Sequence, residues 1–147
     1  MHWMILPLKR YAEFSGRSRR MEYWMFQVFF FLALLALCIP LVLSIVLTED
    51  LQKGSEAPGP LFWMSIALMV LFWLAMIIPG IAVTVRRLHD RDLSGWIYLG
   101  VIVCSFVPLV SFITGIAFLV LMFLPGTVGE NSYGPDPKDP SRASVFE

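Results

Sequence analysis

The chain has 147 residues, 58% of them hydrophobic, with 11 Lys and Arg balanced by 11 Asp and Glu. A soluble domain of this size cannot hide so much apolar area in its small interior, so lipid must act as solvent. Net charge is uninformative, the placement of the charges carries the information, and no nucleic-acid partner is expected.

Met4, Leu8, Tyr11 and Ala12 fall on one helical face, which predicts a short interfacial helix at about residues 4–14, with Pro7 near its front. Phe14-Ser15-Gly16 breaks that pattern. Ser18 is then placed to cap a new helix, although Met21 stands where a capping box would need Glu or Gln. Glu22 is in reach of Arg19 at a spacing of three.

Tyr23 to Thr48 is a charge-free run of 26 residues, long enough to cross a bilayer. It starts too late and runs too long for a cleaved leader, so it is expected to remain as an anchor. The first span is predicted at about 20–47, with Pro40 introducing a bend or an early end. A second charge-free run, Ala57 to Val85, has 29 residues and predicts a span at about 60–85, entered through Pro58-Gly59-Pro60 and kinked at Pro79-Gly80. The carbonyl freed by Pro79 must be satisfied by a neighbour or by water.

The third run, Leu93 to Gly129, has 37 residues. It predicts a segment at about 94–124 with a break near 108–115, where Pro108, Ser111, Thr114 and Gly115 gather. Its length suits either one kinked crossing or a hairpin of two short helices, and that parity decides the side of the tail. Residues 1–129 thus form a membrane domain, and 130–147, rich in Pro and polar residues, a tail that docks, if at all, through Asn131 and Tyr133. The expected fold class is all-α: a helical membrane bundle with three apolar stretches making three or four crossings, preceded by an interfacial helix.

Five of the first 22 residues are basic and two acidic, whereas the loop at 49–56 has Lys53 against three acids. The positive-inside rule puts the amino terminus in the cytoplasm. Arg86, Arg87 and Arg91 then return to the same side. Cys38 and Cys104 lie inside apolar runs with no His or second Cys at ligand spacing, so neither a disulfide nor a metal site is expected.

Two constellations could carry function. Arg17, Arg19 and Arg20 stand at the amino end of the first span, where the helix dipole disfavours cations, so an anionic partner should offset them. With Arg86, Arg87 and Arg91 they could hold phosphates of anionic lipids or a membrane protein partner. The plainer reading is that they only set topology. The second constellation is His89-Asp90 followed by Ser94 and Trp96. A proton-accepting pair is conceivable there, but a structural loop explains it without chemistry: Asp90 or Asp92 pairs with an Arg, Ser94 caps the next helix, and Trp96 anchors it.

The three runs contain no ionisable group of the kind that proton relays and ion coupling require. Their hydroxyls, on Ser44, Ser65, Thr84, Ser105, Ser111 and Thr114, could line only a weakly polar path in a homo-oligomer. No catalytic, cofactor or nucleotide motif is found, so a non-enzymatic role is expected.

Read together, Phe14-Ser15-Gly16-Arg17-Ser18-Arg19-Arg20-Met21-Glu22-Tyr23-Trp24, Pro79, Arg86-Arg87-Leu88-His89-Asp90, Ser94-Gly95-Trp96, Pro125-Gly126-Thr127, Gly129, Asn131 and Tyr133-Gly134-Pro135-Asp136-Pro137 resemble a bacterial family known as domain of unknown function 805. The resemblance covers nearly the whole chain. It implies a small inner-membrane protein with no established activity, and a tail that partners the arginine blocks, which favours the hairpin and a cytoplasmic carboxyl terminus. Arg91-Asp92-Leu93 departs from the small or basic residues usual there.

Overall fold

The structure, a computed structural model, describes residues 2–51 and 59–139, with the side chains of 47–51 left undescribed. Most of the acidic loop expected at 49–56, and Pro140 in the tail, lie outside the described residues. Five helices and no strands are found among those described: α1 (His2–Lys9), α2 (Arg20–Leu51), α3 (Pro60–His89), α4 (Trp96–Cys104) and α5 (Pro108–Phe123).

α2 and α3 are each long and apolar enough to cross a membrane, yet only 6% and 17% of their most apolar stretches are buried inside the protein. The core helix of a soluble protein would be covered by its neighbours. Phe31, Ile39, Met64 and Leu71 instead stand out from the bundle, more than half exposed, which is stable only in hydrocarbon.

Pro40 neither ends nor splits α2, which runs on to Leu51. α3 starts with Pro60 at its first turn behind an extended Gly59, a position where the missing N–H is not needed. It continues one turn beyond the expected end at Val85. Arg86, Arg87 and His89 are therefore helical, and the loop placement expected for His89 is corrected: it is the last residue of α3. Within α3, Pro79 cannot donate to Ala75, and the Tyr11 hydroxyl supplies the missing bond to the Ala75 carbonyl at 2.6 Å. A residue of the amino-terminal segment thereby satisfies the group left unpaired by a proline in the second span.

α1 differs from expectation in extent and in face. It covers residues 2–9 rather than 4–14, and Leu6 and Pro7 are its buried residues, because it docks on α2 and α3 rather than only lying on the lipid surface.

The third apolar run forms a hairpin. The break falls at 105–107, just ahead of the expected 108–115, because Pro108 begins α5 and Ser111, Thr114 and Gly115 belong to that helix. Tyr98, near the start of α4, stacks on Phe118, near the end of α5, at 5.7 Å. Phe123 at the end of α5 stacks on Trp24 at the start of α2 at 4.2 Å. α5 therefore returns to the end of the bundle from which α4 left.

At 1.5 Å per residue, α4 and α5 reach about 14 and 24 Å, both short of a hydrocarbon core about 30 Å thick. The tip carries Phe106, Leu109 and Phe112, all more than two-thirds exposed, so it is built for lipid. Its polar groups are satisfied locally, as lipid demands: Val107 N–H donates to Cys104 O, and the Ser105 and Ser111 hydroxyls donate to Ile102 O and Pro108 O.

Candidate functional site: an arginine clasp at one end of the bundle

The turn leading into α2, the last turn of α3, the turn at 90–95 and the tail converge at one end of the molecule. All six arginines singled out in the sequence lie there, but they divide into two groups.

Arg17, Arg86 and Arg87 are buried, at 2%, 0% and 0% exposure. Arg17 bonds Asp90 Oδ1 through Nε at 3.0 Å and reaches into the tail, donating to the carbonyls of Thr127 at 2.5 Å and Gly129 at 2.6 Å. Arg87 binds the other oxygen of Asp90 and donates to the carbonyls of Met122 and Leu124 at the end of α5. Asp90 thus serves two guanidiniums at once, and its own backbone carbonyl accepts from Thr127 N at 2.8 Å.

Arg86 pairs with Glu22 at 3.0 Å and donates to the carbonyls of Arg10 and Glu13, tying the amino-terminal segment to α3. The expected Glu22–Arg19 pair is therefore corrected: Glu22 points inward, where a buried charge needs a buried counter-charge. Ser18 is corrected as well. Its hydroxyl is buried without a partner, its N–H donates to Arg86 O, and the Arg19 carbonyl accepts the first helical bond of α2.

Three buried cations face two buried carboxylates, Glu22 and Asp90. The excess is offset by backbone carbonyls, chiefly those at the end of α5 and in the tail. An apolar site tolerates the extra charge because these dipoles are fixed in place.

The second group lies at the rim. Arg19 is half-buried, donates to Pro137 O and sits 5.4 Å above the Trp3 ring. Arg20 is exposed and gives one bond, to Phe123 O at 3.1 Å. Arg91 gives one, to Pro125 O at 2.8 Å.

The tail folds over this end. Asn131 donates to His89 O at 2.8 Å, and Tyr133 stacks flat on His89 with ring centres 3.9 Å apart and planes 5° from parallel. His89 Nδ1 is 3.2 Å from Gly16 O, so it donates there, while both oxygens of Asp90 are taken by arginines. Asp92 holds Ser132 N at 3.1 Å from a left-handed backbone with φ of 58°, a conformation Asp accepts more readily than most residues. Asp136 bonds the N–H groups of Gly129 and Lys138. Its carboxyl is held below the ordinary value: burial opposes this, but those two bonds and the charges of Arg17 and Lys138 outweigh it.

Gly126 is fixed by close approach, since a Cβ there would lie 1.9 Å from Asp90 Oδ2. Ser94 accepts a long bond from Trp96 N at 3.4 Å, and Trp96 is 78% exposed, at the lipid side of α4. No group of three or more metal-ligating side chains occurs among the described residues.

The sequence reading missed the role of the carbonyls. The end of α5 needs donors for its orphan carbonyls, and six arginines at one end of an apolar bundle were the signal for where they would come from.

The family described as "Protein of unknown function (DUF805)" matches residues 11–135. Among similar proteins, inner membrane protein YhaI of Escherichia coli K12 is 40% identical over 94% of this chain and 97% of its own length. Inner membrane protein YhaH of the same strain is 35% identical over 94% and 98%. No solved structure matches. The matched region holds Arg17, Glu22, Arg86, Arg87, Asp90 and Gly126, the parts of the clasp, and the chain belongs to the DUF805 family of proteins of unknown function.

Proposed function

We propose that this protein is a small, multi-pass, non-enzymatic module of the inner membrane that engages anionic lipid headgroups through the rim of its clasp, with the amino terminus and the tail both cytoplasmic. One observation carries the reading: Arg17, Arg86 and Arg87 are buried and turned onto protein oxygens, with only Arg86 Nε left without a partner among them, whereas Arg20 and Arg91 each use one of five guanidinium donors. The lipid-facing role considered for all six arginines therefore narrows to Arg20 and Arg91, joined by exposed Lys9 on α1. The buried three act inward, clasping the tail and the hairpin.

A basic side chain near an anionic surface contributes about 1 kcal/mol, so two together correspond to roughly a thirtyfold preference. The test is to extract the protein with its surrounding lipid in polymer discs and measure the ratio of anionic to zwitterionic lipid. Arg20→Gln with Arg91→Gln should bring the ratio down to that of the bulk membrane while the protein stays monodisperse. An unchanged ratio refutes the proposal.

The pore reading has less support. The Ser44, Ser65, Thr84, Ser105, Ser111 and Thr114 hydroxyls each donate to a carbonyl of their own helix or turn, which leaves no row of donors for a solute. Solute flux in liposomes carrying the purified protein would restore it.

A further inference from the structure

Between α2, α3 and the α4–α5 hairpin lies a crevice of about 480 Å³, in the size range of small-molecule sites. α4 packs only lightly on α3, and the arginines fasten the hairpin at their own end of the bundle. From Thr84 down to Trp73 the crevice follows α3 for about 16 Å into the hydrocarbon.

Its lining is specific. Phe26, Phe30, Trp73 and Phe118 supply flat walls, and no charged side chain takes part. At the shallow end stand Tyr23, Gln27 and Tyr98. Gln27 is the one amide in the three apolar runs, and it faces the Tyr23 hydroxyl. The Tyr98 hydroxyl has no hydrogen-bond partner among the described residues. The Gln27 amide keeps hydrogen-bonding capacity beyond Tyr23, and the Tyr98 phenol depends on finding a partner, because water is absent there.

We propose that this crevice binds a neutral, membrane-soluble molecule with a flat ring bearing carbonyl or hydroxyl oxygens and an apolar tail, the chemistry of a quinone or quinol. The uncharged lining rejects a headgroup phosphate, the aromatic walls suit ring stacking, and Gln27 and Tyr98 sit where the ring oxygens would end. The ring lies at the level of Gln27, and the tail leaves toward lipid past Trp73.

The experiment titrates the purified full chain in lipid nanodiscs with 2,3-dimethoxy-5-methyl-6-decyl-1,4-benzoquinone and reads tryptophan fluorescence. Saturable quenching is expected. Trp73→Phe should remove most of its amplitude, and Gln27→Leu and Tyr98→Phe should each raise the midpoint about tenfold. If Gln27→Leu does not yield monodisperse protein, Tyr98→Phe supplies the same reading by removing a single hydroxyl from a partly buried side chain.

Quenching that rises linearly with no midpoint, or a midpoint indifferent to both polar substitutions, overturns the proposal. So does equal quenching of Trp73 by phospholipid brominated on its acyl chain in the presence of saturating quinone, which would identify a lipid tail as the occupant. Loss of the lipid preference at Arg20 and Arg91 leaves this result untouched, since none of the rim cations lines the crevice.

Discussion

Asp90→Asn removes one negative charge and almost no volume from the centre of the clasp. The Asp90 side chain is 3% exposed, and those of its partners Arg17 and Arg87 are 1% and 0% exposed. Both of its oxygens are occupied, each by a different guanidinium. The substituted amide can present one oxygen, so its NH₂ must turn toward the other guanidinium, donor against donor. Breaking a buried pair by removing one partner costs about 3–5 kcal/mol, because the remaining charge stays buried without compensation. At about 2–4 °C per kcal/mol for a chain near this size, the midpoint of thermal unfolding should fall by about 6–20 °C.

The assay is heating in mild detergent followed by size-exclusion recovery, with Glu13→Gln run beside it. Glu13 pairs with Arg10 on the surface, where the two side chains are 45% and 20% exposed, and an exposed pair contributes about 0–1 kcal/mol. The same charge change there should move the midpoint by no more than about 4 °C. Equal shifts for the two variants would show that burial does not govern the Asp90 pair, and the reasoning about the clasp would fail.

Gly126→Ala should lift the tail, because the new methyl meets Asp90, which two arginines hold in place; tryptic cleavage at Lys138 should speed up at least tenfold, with Gly100→Ala, where nothing lies within 4 Å, as the silent control. Tyr11→Phe leaves the Ala75 carbonyl unpaired and should cost about 1–3 kcal/mol in the same thermal assay, whereas an unchanged midpoint would mean that another donor reaches that carbonyl. Acidification should release the tail: the folded Asp136 carboxyl is held below its ordinary value, so its contribution is present above that value and is lost as pH falls through the depressed one. Hydrogen exchange at Gly129 and Lys138 reads this change, and Asp136→Asn should weaken their protection even at neutral pH.

The membrane-embedded helices and the gathering of arginines at one end could be read from the sequence, since each depends on local composition: charge-free length for the helices, clustered basic residues for the end. What the sequence concealed was set by tertiary partners. Glu22 has Arg19 within local reach, yet Arg86, sixty-four residues away, takes it, because both are buried and neither could remain so alone. Ser18 has the residue type of a cap but sits fully buried against α3, where its N–H is more useful than its hydroxyl. Pro108 opens the expected break at 108–115, yet it is the first residue of a helix, a position where proline fits without loss. α1 departs from its expected extent for a related reason: a helix that docks on others buries the face they offer, whatever its own periodicity suggests.

The arginines also resolve a difficulty that their positions create. Arg17, Arg19 and Arg20 precede or begin α2, where the dipole is positive and cations are disfavoured by about 0.3–1 kcal/mol each. α5 has the opposite problem at its far end: its last carbonyls have no helical donors, and the tail that follows must leave an apolar environment. Arg20 donates to Phe123 O, Arg87 to Met122 O and Leu124 O, and Arg91 to Pro125 O, so cations misplaced for one helix complete the carboxyl terminus of another. A single crossing by the third apolar run would carry those carbonyls to the opposite face and leave both ends unsatisfied. The hairpin is therefore what makes the arginine pattern stable, and substituting Arg20 and Arg87 together by Met should loosen the return of α5 more than the entry of α4. Cysteine cross-linking from Trp24 to Phe123 measures that difference against a Tyr98 to Phe118 link, and equal loss of both would refute the coupling.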